Sequence, residues 1–216
     1  MTRLGNWMTL AVAPLLVLIP GSGCDSAPAA TPERGEWMFR NYCASCHQED
    51  GTGNPAALSP AIAGLPVWYV ERQLNGFRDG FRGADFDDIA GMRMRPMART
   101  LSTDVDITAV AQHIASLPTV TPSASVEGDA EAGEKLYVTC QACHGADGRG
   151  NEALGSPPLT NTHDWYLVTQ LNNFKNSDRG QIAGDTFGAQ MAPMAATLPD
   201  DKAIHDVVAH ILTLRK

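Results

Sequence analysis

Two pentapeptides carry the chemistry of this chain: Cys43-Ala44-Ser45-Cys46-His47 and Cys140-Gln141-Ala142-Cys143-His144. Both read C-x-x-C-H, the attachment signature of c-type haem. Two thiols on one turn add to the two haem vinyl groups, and the adjacent imidazole then sits beneath the iron as its fifth ligand. A zinc site would need two further ligands at each motif. Disulfides would leave both histidines unexplained. The reading is two covalent haem c groups, attached through Cys43, Cys46, Cys140 and Cys143, with His47 and His144 on the irons. The chain has five cysteines, so Cys24 is left over.

The sixth iron ligand decides function. An open position admits substrate, whereas a Met sulfur closes the iron and raises its potential for electron transfer. After His144 the only methionines are Met191 and Met194, and both recur in the first half as Met94 and Met97. Each pair lies in a Met-x-Pro-Met loop that begins at the same distance from its histidine. Methionine used as core filler rarely keeps such registration.

The elements that must position these groups are also repeated. The motifs are offset by 97 residues, and the offset continues downstream. Trp68-Tyr69 maps to Trp165-Tyr166, Gln73-Leu74-Asn75 to Gln170-Leu171-Asn172, Arg82-Gly83 to Arg179-Gly180, and His113-Ile114 to His210-Ile211. Such self-similarity is the sign of a duplicated unit. In each copy a short helix (33–42 and 130–139) delivers the cysteines and a Gly-rich loop follows. A helix with apolar residues three and four apart comes next (67–77 and 164–174). A last helix closes the unit (104–117 and 201–214). No alternating strand pattern is convincing, so the fold class is all-α. The domains span 35–118 and 129–216, joined by the Pro/Ser/Thr-rich segment 119–128. Aromatics are only 6 % of the chain, and a covalently held apolar cofactor supplies the bulk that so small a core lacks.

With these residues in view, the chain resembles a tandem class I cytochrome c, similar to the dihaem cytochrome c4 family, over about residues 31–216. The resemblance selects the first methionine of each pair as the axial ligand, Met94 for the first iron and Met191 for the second. It leaves Met97 and Met194 to pack on the haem. It also implies that the carbonyls of Pro60, in Pro60-Ala61-Ile62-Ala63-Gly64, and of Pro157, in Pro157-Pro158-Leu159, orient the axial histidines, although Asn161 replaces the Gly in the second copy. Gly35 and Phe39 match the family's first-helix pattern, and Ala132 and Leu136 stand at the same distances before Cys140. His113 and His210 occupy places usually held by Tyr, which leaves a bis-His haem as an alternative. His163 and His205 have no counterpart in the first copy and read as surface residues.

The N-terminus reads as an address. Arg3 precedes an apolar run from Leu10 to Ile19, and small residues lead to Cys24. This describes a secretory signal over 1–23. The run is shorter than a membrane span needs, is interrupted by Pro14 and is followed by Pro20, which weighs against an uncleaved anchor. The small residues before Cys24 resemble a bacterial lipoprotein cleavage site, which makes Cys24 a candidate for lipidation. A competing cut lies after Ala29 or Ala30. Residues 24–34 read as a tether.

Net charge is −8, so no global basic field draws in nucleic acid. Residues 31–118 carry eight basic and eleven acidic residues, and 129–216 carry seven and eleven. The local difference is Arg93, Arg95 and Arg99 around Met94, where the second copy has Gln190, Ala192 and Ala196. These arginines either pair with haem propionates or face an acidic partner.

The resemblance implies a periplasmic, membrane-tethered carrier of single electrons in a respiratory chain and not an enzyme. A quinol-oxidising complex or dehydrogenase would be its donor, and a terminal oxidase or reductase its acceptor. The alternatives are a dedicated electron-transfer subunit of one complex, or a haem enzyme such as a peroxidase or thiosulfate-oxidising cytochrome.

Overall fold

The structure, a computed structural model, describes residue 1 and residues 29–215. The signal over 1–23 and Cys24 lie outside the described residues. Among the described residues nine α-helices form two units, with no strand beyond the isolated bridges Asn54–Ser59 and Asn151–Ser156. No described helix is long and apolar enough to cross a membrane.

The first unit contains α1 (Pro32–Met38), a π turn (Phe39–Cys43), α2 (Ala44–His47), α3 (Val67–Asp79), α4 (Ile89–Arg99) and α5 (Asp104–Ser116). The second contains α6 (Ala130–His144), α7 (Asp164–Lys175), α8 (Thr186–Ala195) and α9 (Asp201–Thr213). Local chemistry sets the helix starts. The Thr31 hydroxyl accepts from the Arg34 N–H ahead of a first-turn proline. Thr103 and Asp106 form a reciprocal capping box at α5, and the Asp129 carboxylate accepts from two N–H groups of α6. Each such cap replaces a partner that the helix backbone lacks at its end.

The first helix of each unit crosses the last at a glycine. A Cβ on Gly35 would stand 2.1 Å from the Ala109 carbonyl oxygen, and one on Gly133 would stand 1.9 Å from that of Asp206. Beside each crossing an aromatic ring meets a histidine: Phe39 with His113 at 5.0 Å between centroids, and Tyr137 with His210 at 5.2 Å. Gly133 and Tyr137, and not Ala132 and Leu136, therefore take the places of Gly35 and Phe39. The offset is 98 residues there and 97 from the cysteines onward. The first copy carries one extra residue in this helix, and the π turn before Cys43 absorbs it. A π bulge is the usual way to insert one residue without breaking a helix.

The Met-x-Pro-Met segments also differ from expectation. They are helical, in α4 and α8, with Pro96 and Pro193 inside. The Asp88 and Asp185 carboxylates cap these helices by accepting from Gly91 and Gly188. Each proline removes one backbone donor late in the helix, and the caps with packing on one face outweigh that loss.

In the first core Phe39, Leu74, Phe77, Leu101, Ile107 and Val110 are buried together. Tyr137, Leu167, Leu198, Ile204 and Val208 form the second. The linker is pinned to the second unit. The fully buried Asp164 carboxylate accepts from Ser125 Oγ at 2.7 Å and from the Val126 N–H at 2.8 Å, and Arg215 donates to the Pro122 carbonyl at 2.7 Å.

Candidate haem sites and their shared boundary

Each C-x-x-C-H motif lies on helix, so its two thiols project from one turn. Cys43 and Cys140 are partly buried against their cores, while Cys46 and Cys143 are exposed. Burial, reinforced by Cys46, pushes the Cys43 thiol up to about 12. His47 and His144 are buried, and the geometry around them is the same twice over. Nδ1 of His47 donates to the Pro60 carbonyl at 2.9 Å, and Nδ1 of His144 donates to the Pro157 carbonyl at 2.9 Å. That bond fixes the tautomer and leaves Nε2 as the nitrogen free to bind a metal. Burial lowers both imidazole pKa values against the opposing effect of the carbonyl, which favours the neutral form that a metal requires.

Glycine makes the approach of the proline loop practicable. Gly53 and Gly150 have φ +81°, and a Cβ there would stand 2.5 Å from the Pro60 carbonyl carbon or from the Ser156 carbonyl oxygen. Their N–H groups donate to the His47 and His144 carbonyls.

The methionines separate by face. Met94 packs against the first core and Met191 against Phe174, Ala192 and Ala195. Met97 is 37 % exposed, and Met194 is half-buried. The three arginines of α4 separate as well. Arg93 and Arg99 are exposed, with hydrogen bonds to the Ala57 and Arg78 carbonyls. Arg95 points its guanidinium toward Gly80, and its buried Nε has no partner.

Between the units lies a cluster that sequence reading did not assign to the site, although the offset contains all four of its residues. Arg82 donates to Gln73 at 2.8 Å within its own unit and to Gln170 at 3.1 Å in the other. Arg179 donates to Gln170 at 2.5 Å and to Gln73 at 3.0 Å. Each guanidinium also lies over a phenylalanine of its own unit, Phe77 at 4.1 Å and Phe174 at 4.4 Å. Beside this cluster Arg72 lies over Phe187 of the second unit at 4.2 Å and donates to the Gly155 carbonyl at 2.5 Å.

The residues fit haem on an observation independent of the motif. Two guanidiniums sit side by side, Arg82 buried and Arg179 half-buried, and among the described residues neither has a carboxylate ion-pair partner. Burial and the Arg82 charge lower Arg179 to about 10. The Nε atoms of Arg82, Arg179 and Arg95 and Nε1 of Trp165 are buried with no partner. Uncompensated buried donors of this kind are costly, and carboxylates such as haem propionates would satisfy them.

His163 corrects the surface reading. It is 9 % exposed and accepts from the Ala61 N–H of the first unit. His205 is half-buried.

The family model for cytochrome c matches residues 32–118 and again 130–215. A thiosulfate dehydrogenase electron acceptor from Stutzerimonas stutzeri is 30 % identical over 210 residues, covering 91 % of this chain and 90 % of that protein. The crystal structure of reduced cytochrome c4 from Pseudomonas stutzeri superposes with a TM-score of 0.64 at 27 % identity, covering 85 % of this chain and 98 % of that one. A thiosulfate dehydrogenase from Marichromatium purpuratum superposes with a TM-score of 0.69 at 29 % identity, over 85 % of this chain and 40 % of that one. With two haem-attachment motifs in two matched domains, this chain belongs to the cytochrome c family as a tandem dihaem electron carrier of the cytochrome c4 type, with two covalently bound haem c groups.

Proposed function

We propose that the chain moves single electrons outer-sphere in the periplasm, from a quinol-oxidising complex or dehydrogenase to a terminal oxidase or reductase, with no substrate bond made or broken. The observation that carries this reading is the repeated pairing of a histidine committed to a proline carbonyl with an inward methionine on a capped helix. His47 and Met94 would then hold the first iron, and His144 and Met191 the second.

Bound haem supplies a one-electron Fe(III)/Fe(II) couple at each site. The chain's part is to hold, orient and shield. Cys43 with Cys46, and Cys140 with Cys143, fix the macrocycles. The Pro60 and Pro157 carbonyls hold the imidazole planes and raise their basicity. The methionine sulfurs would complete the protein's hold on each iron and keep substrate from it. Arg93 and Arg99 give the first domain a basic rim that steers an acidic partner. Residues 1–23 serve as the export signal, and a lipid on Cys24 anchors the protein through the 24–34 tether.

A second reading is a dedicated acceptor for thiosulfate dehydrogenase. It is favoured by the relative of that name, which matches nearly the whole chain. Mixing the oxidised protein with thiosulfate, alone and with a thiosulfate dehydrogenase, tests both. The carrier reading expects no reduction by thiosulfate alone. Reduction only with the dehydrogenase present, and faster than by a quinol-oxidising complex, favours the dedicated acceptor. Catalytic oxidation of thiosulfate by the chain alone would contradict a carrier.

A further inference from the structure

One peptide group in the first domain is used on both sides. The Pro60 carbonyl accepts from His47 Nδ1 at 2.9 Å. The N–H of that same peptide, which belongs to Ala61, donates to Nδ1 of His163 at 2.9 Å across the domain boundary. Ala61 is 1 % exposed, so water does not compete for this hydrogen bond. Thr162 Oγ1 makes a second bond, to the Ala61 carbonyl at 3.2 Å. The second domain has no such connection. Pro158 follows Pro157 and has no N–H to donate, and the residue matching His163 in the first domain is Pro66. The link therefore runs from the second domain into the first, and not back.

We propose that His163 is a positioning residue for the first haem. It accepts from the Pro60–Ala61 peptide and thereby tunes the potential of the iron held by His47. The inference rests on His47 as the proximal ligand. Accepting from an amide N–H polarises the amide and makes its carbonyl a stronger acceptor, by about 10–30 % per bond. A stronger acceptor at Pro60 draws the His47 Nδ1 proton closer and makes Nε2 a better donor to iron. Electron donation favours ferric over ferrous iron, so the connection lowers the potential of the first haem. Burial first, with the Arg215 charge and against Asp164, lowers the pKa of His163 and keeps Nδ1 free to accept. Two domains with nearly the same ligands thus acquire different potentials through one hydrogen bond.

The test is a spectroelectrochemical titration of the intact dihaem protein, with each potential assigned to its domain by NMR of the haem methyls. His163→Phe keeps a ring beside Trp165 and removes the acceptor. It should raise the first haem's potential by about threefold in the oxidation equilibrium, or about 28 mV at about 59 mV per tenfold for one electron, and leave the second unmoved. His163→Asn returns an acceptor near the Nδ1 position and should restore the wild-type value. Ala61→Pro copies the second domain, removes the donor and should shift the first haem in the same direction as His163→Phe. Thr162→Val loosens the same contact without touching the peptide N–H, and should move neither potential. An unmoved first haem in both His163→Phe and Ala61→Pro, with low-spin spectra intact, would overturn the proposal. So would equal shifts of both haems, or a Thr162→Val shift as large as that of His163→Phe. A high-spin first haem in the wild-type protein would instead indict the ligand assignment.

Discussion

The guanidinium of Arg82 in the first domain donates to the side-chain oxygen of Gln170 in the second at 3.1 Å. The residues one repeat away mirror it, with Arg179 donating to Gln73 at 3.0 Å. Each glutamine oxygen therefore accepts from two guanidiniums, one per domain. Duplication has turned an internal Arg–Gln pair into a shared boundary with an approximate two-fold axis. The boundary holds two positive charges with unsatisfied Nε atoms, which suits the approach of two haem edges bearing carboxylates.

Replacing Arg82 with Gln should remove charge-assisted hydrogen bonds from this boundary at a cost of about 1.5–3 kcal/mol. Thermal unfolding would show the loss. Because a positive charge near the haems favours the reduced state, both potentials should also fall, opposite in sign to His163→Phe. Unchanged potentials would place the propionates elsewhere.

Met191→Ala should abolish about half of the near-infrared methionine-to-ferric-haem band, as expected when one of two sulfur ligands is lost. Met194→Ala should leave the band in place. The same contrast is expected for Met94 and Met97. The reverse pattern would assign the ligand to the second methionine of each pair.

The arginines of α4 should act separately. Changing Arg93 and Arg99 to Gln should slow electron exchange with an acidic partner at low ionic strength and matter little at high salt, because screening shortens charge steering to about 8 Å near physiological ionic strength. Arg95→Gln should instead shift the first haem's potential with little change in salt dependence. Equal salt effects from all three would show that Arg95 faces solvent.

Much of this architecture is legible in the sequence because covalent haem attachment demands contiguous residues. The two motifs and the 97-residue offset locate the cysteines, their adjacent histidines and the methionine segments. What the offset conceals depends on three-dimensional proximity. The π turn at Phe39–Cys43 shifts the register by one, so Gly133 and Tyr137 are found by what they touch and not by alignment. The proline in Met-x-Pro-Met reads as a break, yet Asp88 and Asp185 cap a helix around it. Lacking a repeat partner makes His163 look dispensable, whereas its contact is with the other domain. The missing N–H at Pro158, together with Asn161 in place of Gly64, is the sequence signal that the two proline loops differ.

Asp164 ties the linker to the second domain and should show in the acid limb of stability. Burial alone would raise its pKa, but hydrogen bonds from Ser125, Val126 and Trp165 outweigh burial and hold the carboxyl below its ordinary value. A depressed folded pKa contributes stability that is present above the unfolded value of about 3.9 and is lost as pH falls through the folded value. Asp164→Asn should therefore lower Tm near neutrality and flatten its decline below about pH 4. A variant with a parallel acid limb would show that other carboxyls govern acid unfolding.

The most direct measurement is a coulometric titration of the purified protein, with the near-infrared methionine band recorded at each potential. Two reversible one-electron steps per chain are expected, each removing about half of the band as its iron becomes ferrous. A single one-electron step, or a band that reports only one haem, would contradict a carrier with two His/Met irons.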